Sequence, residues 1–123
     1  MDYKLKTKFE SRLEESRRIR EKFPGRIPVI VQKSKKANND VPNIDKNKFL
    51  VPMDLTIGQF IYVIRKRLEL PPEKALFFFV NNSLPTTAMS LRELYGVYAD
   101  EDGFLYTEYS GESTFGAMHQ SYK

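Results

Sequence analysis

KNKFLVPMDLTIGQFIYVIRKRLELPP, residues 46–72, carries two periodicities in succession with a sharp boundary between them. Across KNKFLVP (46–52) the side chains alternate, so Lys48 and Leu50 fall on one side of a strand and Phe49 and Val51 on the other. Pro52 cannot donate to a ladder and ends that strand, and with Lys46 and Lys48 interleaved the segment is predicted to lie at a sheet edge. From Thr56 the period changes. Thr56-x-x-Gln59 has the form of a capping box, and Leu55 with Phe60 has the spacing of a hydrophobic staple. IGQFIYVIRKRLEL then places Ile57, Phe60, Ile61, Ile64 and Leu68 on one helical face until Pro71-Pro72 stops it.

An edge strand feeding an amphipathic helix requires a sheet for that helix to cover, and the flanking sequence supplies one. RIPVIVQK (26–33) reads as a strand with Pro28 near its start, followed by a polar loop, SKKANNDVPNID (34–45). ALFFFVN (75–81) is uniformly apolar and is predicted to be a central strand, buried on both faces. NNSLPTT (81–87) is a turn region, MSLRELYGVYA (89–99) a short helix with Ser90 as its cap, and DEDGFLYTEYS (100–110) a turn followed by a last strand. Upstream, DYKLKTKF (2–9) is a short, weakly helical segment. Ser11-Arg-Leu-Glu14 has the form of a capping box opening a helix at Ser11. Leu5, Phe9, Leu13, Ile19 and Phe23 fall within a stripe about 120° wide, so the first 23 residues are predicted to form an amphipathic arm in two helices, ended by Pro24-Gly25. The order is arm, β, β, α, β, α, β: an α+β domain with a helix packed across one sheet face.

Composition bounds the function. The chain has 123 residues, 41% hydrophobic and 29% charged, which suits one globular domain. No apolar run approaches a transmembrane length, and MDYKLKTKFESR lacks a signal-peptide apolar segment, so a cytosolic protein is expected. Residues 1–68 carry 17 Lys/Arg against 8 Asp/Glu, and residues 69–123 carry 3 against 8. A basic front and an acidic back point to acidic partners: nucleic acid, an acidic peptide or an anionic membrane. With no cysteine and a single histidine, His119, thiol nucleophiles, Ser-His-Asp triads and the usual zinc sites are excluded. No Gly-rich phosphate loop is present, and the Asp100-Glu101-Asp102 run beside Gly103 reads as a turn, so neither an enzyme nor a cofactor or metal is expected.

The words EKFPGRIPVIVQK, NKFLVPMDLTIGQF, YVIRKRLELPPEKALFFFVNN, DEDGFLYTEYSGES and TFG, in this order, resemble the autophagy ubiquitin-like modifiers, the family of microtubule-associated light chain 3 and GABA-receptor-associated protein. The likeness runs from about residue 9 to 116, and the loop 34–45 departs from it by being slightly longer; lying between strands, it is expected to alter a surface and not the fold. The resemblance implies a ubiquitin-like β-grasp (25–110) with an added N-terminal helical arm (1–24). It further implies a conjugation tail (111–116) ending in Phe115-Gly116, and a removable propeptide, AMHQSYK (117–123). A processing cysteine protease would cut Gly116-Ala117. Activating and carrier enzymes would then join Gly116 to phosphatidylethanolamine, moving a cytoplasmic protein to the autophagosome membrane. Two acyl chains suffice for such anchoring, and a residue without Cβ suits a narrow catalytic channel.

The family also implies a groove for aromatic-x-x-aliphatic peptides of cargo receptors and adaptors, which add a strand to the sheet edge. Its aromatic pocket maps to Glu15, Ile19, Pro28, Ile30, Lys48, Leu50 and Phe104, and its aliphatic pocket to Phe49, Val51, Pro52, Leu55, Phe60 and Val63. Phe49 stands where tyrosine is common. Lys46, Lys48 and Arg67 would meet acidic flanks. Without the resemblance, Ile19, Leu50 and Phe104 read as core, and Arg65-Lys66-Arg67 as a solvated helix face. Two other functions compete: a soluble cytoskeletal or trafficking adaptor whose basic arm binds tubulin, and a nucleic-acid binder. A removable tail after Gly116 disfavours the adaptor. The aromatics fall in core-like runs, not on a stacking platform, which disfavours nucleic acid.

Overall fold

The computed structural model describes residues 2–35 and 41–112. Helices α1 (Asp2–Lys6) and α2 (Phe9–Lys22) precede strands β1 (Arg26–Lys33) and β2 (Lys48–Pro52), helix α3 (Ile57–Leu68), strand β3 (Phe77–Phe79), helix α4 (Leu91–Tyr98) and strand β4 (Leu105–Ser110). One mixed sheet has the order β2-β1-β4-β3. Its two central strands, β1 and β4, run parallel, while β2 is antiparallel to β1 and β3 antiparallel to β4. With α3 across one face and the arm at the other, this is the β-grasp arrangement that the resemblance implies.

The α3 face forms the main core. Ile57, Phe60, Ile64 and Leu68 are buried against Val29, Val31, Val51 and Leu105, and Phe60 meets the rings of Phe49 and Phe78 edge-on at 5.8 and 5.6 Å. The boundary at Thr56 is as expected: its hydroxyl accepts from Gln59 N–H while the Gln59 side chain accepts from Thr56 N–H. Ser90 and Glu93 form the same reciprocal pair at the start of α4. The two helix starts also cap each other. Ile57 and Gly58 N–H donate to Met89 O and Thr87 O, and Leu91 and Arg92 N–H donate to Leu55 O and Met53 O, so four otherwise orphaned donors are satisfied.

Five expectations need correction. The apolar run 75–81 is not a central strand. It yields the three-residue β3 at the outer edge, with β4 inside it. Its apolarity reports burial and not sheet position, since Phe78, Phe79 and Val80 are all buried although β3 is the outermost strand of the described sheet. After it, Asn81 and Asn82 take φ of 53° and 65° in a tight turn closed by Val80 and Ser83, a conformation asparagine tolerates. β2 begins at Lys48, not Lys46, although it is the edge strand expected. The loop 34–45 is more than a surface feature: Val41 enters the main core, and the Tyr109 hydroxyl donates to Pro42 O at 2.7 Å.

The other two corrections concern the arm. It forms two helices as expected, but α2 starts at Phe9 with Lys8 as its N-cap, leaving Ser11 inside the helix. Arg12 Nη1 donates to Thr7 O at 2.5 Å and Lys4 O at 3.3 Å, which fixes the chain's entry a turn before Ser11. The arm also does not dock through its apolar stripe. Leu5 is 82% exposed, and Phe9, Leu13 and Phe23 are exposed too. The residues of α2 that are buried are Arg12 and Ser16. Both land on the 100–103 turn, where Arg12 Nε donates to Asp102 Oδ2 at 2.7 Å and the Ser16 hydroxyl donates to Asp102 O. Gly103 (φ +90°) lies so close to Ser16 that a Cβ there would collide with its Oγ, so glycine is required for both reasons.

Candidate functional site

Among the described residues no strand pairs with the outer edge of β2, and the predicted peptide-binding residues lie on both sides of it. Alternation is as read from sequence: Phe49 and Val51 are buried toward α3, while Lys48 and Leu50 are half-buried on the opposite side.

On the arm side, Glu15, Ile19, Pro28, Ile30, Lys48, Leu50 and Phe104 come from α2, β1, β2 and the residue just before β4. Ile30 and Phe104 are buried in a small second core. Lys48 Nζ donates to both Glu15 oxygens, at 3.1 and 2.9 Å. Burial pushes the Glu15 carboxyl up, but hydrogen bonds from Lys48 and Tyr3 outweigh it and hold the carboxyl below its ordinary value. Tyr3 was missed from sequence. It packs edge-on to Phe104 at 5.5 Å, donates to Glu15 Oε1 at 2.7 Å and lies under Lys48 Nζ at 4.6 Å. Burial, then Glu15, raises its hydroxyl pKa. A tyrosine in a weakly helical basic segment carries no local signal that would assign it to this cluster.

On the α3 side, the six predicted aliphatic-pocket residues divide. Phe49, Val51 and Phe60 are buried members of the main core. Leu55 and Val63 instead line an open depression of about 560 Å³ with Gly58, Gln59, Tyr62, Thr87 and Ala88. Pro52 is exposed at the end of β2. Lys46 and Arg67 both stand over the Phe49 ring, at 5.2 and 5.9 Å. Arg67 Nε also donates to the exposed Asp45 carboxylate at 3.0 Å, which lowers the Asp45 pKa.

The arrangement offers a row of outward-facing backbone groups between an aromatic-lined side and an apolar depression, with cations at one end. That is the chemistry of strand addition with two side-chain anchors. Among the described residues, no group of His, Cys, Asp or Glu could hold a metal ion, and no helix is long and apolar enough to cross a membrane. Phe115, Gly116 and the predicted propeptide (117–123) lie outside the described residues.

Comparison with known proteins converges. The family model described as autophagy protein Atg8, ubiquitin-like, matches residues 11–116. Autophagy-related protein 8a of Arabidopsis thaliana is 57% identical over 116 residues, covering 94% of this chain and 93% of the relative. Autophagy-related protein 8 of Candida glabrata is 58% identical over 114 residues, covering 93% and 95%. Among solved structures, Trypanosoma brucei ATG8 superposes with a TM-score of 0.86 at 46% identity, covering 94% and 98% of the chains. Plasmodium falciparum Atg8, in complex with a peptide of P. falciparum Atg3, superposes with a TM-score of 0.82 at 38% identity, covering 92% and 98%.

Proposed function

The chain belongs to the Atg8 family of ubiquitin-like autophagy proteins and is a ubiquitin-like modifier of autophagy; from that premise we propose that it is cut between Gly116 and Ala117 and joined through Gly116 to phosphatidylethanolamine. The observation that carries this reading is that the family match runs to residue 116, the glycine of Thr114-Phe115-Gly116, and leaves seven residues over. A processing cysteine protease exposes the Gly116 carboxylate, and activating and carrier enzymes transfer it to the lipid amine. The protein then passes from a cytoplasmic pool to the autophagosome membrane, held by the two acyl chains of its lipid.

On the membrane, the edge of β2 takes up aromatic-x-x-aliphatic segments of cargo receptors and adaptors. Leu50, with the half-buried Ile19 and Lys48, receives the aromatic anchor above the buried Ile30 and Phe104, and Leu55 and Val63 receive the aliphatic one. The Plasmodium relative bound to an Atg3 peptide supports a docking partner in the conjugation pathway as well. The soluble tubulin-binding adaptor is disfavoured by relatives that carry the names of autophagy proteins.

Gly116→Ala tests the reading. The variant should fold, bind peptides in the groove and stay unlipidated, whereas a chain ending at Gly116 should be lipidated without the protease. Membrane recovery of Gly116→Ala equal to that of the native chain would restore the adaptor.

A further inference from the structure

Arg26 lies opposite Pro52 in the β1–β2 ladder, and its Nη1 reaches Leu50 O at 3.4 Å. That carbonyl is on the outer side of β2. Val31 N–H donates to Asn47 O and Met53 N–H donates to Gly25 O, so the odd-numbered residues turn their backbone groups toward β1 and Leu50 turns its own away. The Arg26 guanidinium therefore reaches round to the rim of the unpaired edge.

Beside it is a cavity of about 240 Å³ where Arg20, Arg26 and Arg92 surround an apolar floor of Ile27, Met53 and Tyr95. None of its lining residues is acidic. Arg20 Nε is buried and has no hydrogen-bond partner among the described residues. Among the described residues the Arg92 side chain pairs with Asp54 alone, at 3.3 Å between two exposed side chains, a pair that solvent screens. Three guanidinium groups round one apolar pocket repel each other, and an unmatched buried donor is costly. A planar carboxylate would relieve both, since it accepts two parallel bonds from such a fork.

We propose that this three-arginine cavity is a third subsite of the groove, which receives a Glu or Asp side chain of the docked peptide beyond its aliphatic or aromatic anchor. The inference rests on the reading of β2 as a peptide-docking edge. A peptide strand paired along β2 and continuing past Pro52 passes over Arg26, whichever way it runs. Its N–H replaces Arg26 on Leu50 O and frees that guanidinium for the carboxylate. The subsite lies at the opposite end of β2 from Lys46, so acidic residues at the two ends of a ligand are read by different cations.

Calorimetry with three peptides tests it: a core with neutral flanks, the core with Glu-Glu following it, and the core with Glu-Glu preceding it. One acidic extension, the one that lies past Pro52, should tighten binding about five- to tenfold at low salt. Arg92→Gln should reduce that gain, and Arg20→Gln with Arg92→Gln should abolish it, while the neutral core binds all three proteins alike. Arg92 is exposed, so its variant is expected to fold. A neutral core that binds normally while neither extension shows a gain dependent on Arg20 and Arg92 would overturn the subsite and leave the groove standing. Failure of the neutral core to bind at all would remove the groove and the subsite with it.

Discussion

Arg12 and Asp102, ninety residues apart in sequence, form an ion pair at 2.7 Å in which the Asp102 side chain is wholly buried and that of Arg12 nearly so. The carboxylate is a hub: Oδ2 also accepts from the Tyr106 hydroxyl at 2.5 Å, and Oδ1 from Phe104 N–H at 2.9 Å. Burial, then Asp102, raises the Tyr106 pKa, so that hydroxyl remains a donor. Removing one member strands the others in a dry site. Asp102→Asn or Arg12→Ala should each cost about 3–5 kcal/mol in denaturant unfolding. A double-mutant cycle on the pair should return a coupling of about 1–3 kcal/mol, and a coupling near zero would mean the arm is held elsewhere.

The reciprocal helix starts give a second test. Thr56→Ala and Ser90→Ala should each destabilise the fold by about 1 kcal/mol, the usual worth of an N-cap. The two positions are bridged to one another, so the double variant should depart from the sum of the singles. Additivity within error would show that the two helix starts are energetically independent.

These residues mark what was legible in the sequence and what was not. Thr56, Gln59, Ser90 and the α3 face were readable because capping and periodicity are local, set within four residues of chain. The proposed groove residues come only from the family resemblance: Leu50 or Phe104 alone looks like core, and Phe104 is buried in one. The position of β3 at the sheet edge was not readable, because an apolar run encodes burial and not which neighbour it pairs with. The docking of the arm was missed for a related reason. A stripe of Leu5, Phe9 and Leu13 invites an apolar interface, whereas the contact is made by Arg12 and Ser16 on an Asp102 that looked like part of an exposed turn. A charged residue buried by a partner ninety positions away leaves no local pattern.

Acid should loosen the arm through two further carboxylates. Glu15 is held below its ordinary value by Lys48 and Tyr3 against the opposing effect of burial, and Asp100 likewise by Lys4 at 2.5 Å. A depressed folded pKa means stabilisation that is complete above the ordinary values, 4.5 for Glu15 and 3.8 for Asp100. It is lost as pH falls through the lower folded values. Amide NMR signals of Tyr3 to Lys6 should therefore hold steady down to about pH 4.5 and shift below it. Glu15→Gln should remove the Glu15 part of that titration. Signals unchanged down to the global acid transition would mean these pairs do not secure α1.

Phe49 and Leu50 are adjacent on β2 but face opposite sides, so their truncations should separate binding from stability. Leu50 is half-buried on the arm side and belongs to neither core cluster, so Leu50→Ala should weaken an aromatic-x-x-aliphatic peptide by about 1–3 kcal/mol with little change in the unfolding midpoint. Phe49 is buried, with its ring against Phe60 and under Lys46 and Arg67. Phe49→Ala opens a cavity in the main core and should cost about 3–5 kcal/mol of stability. Any loss of peptide affinity in that variant then has two sources: a missing contact, and a β2 strand that no longer holds its register against α3. Phe49→Leu keeps most of the volume and separates the two. Affinity restored along with stability assigns Phe49 to the support of the edge, whereas affinity still lost at restored stability assigns it to direct contact with the ligand. Equal binding by Leu50→Ala and the native chain would mean that the aromatic anchor does not sit between α2 and β2.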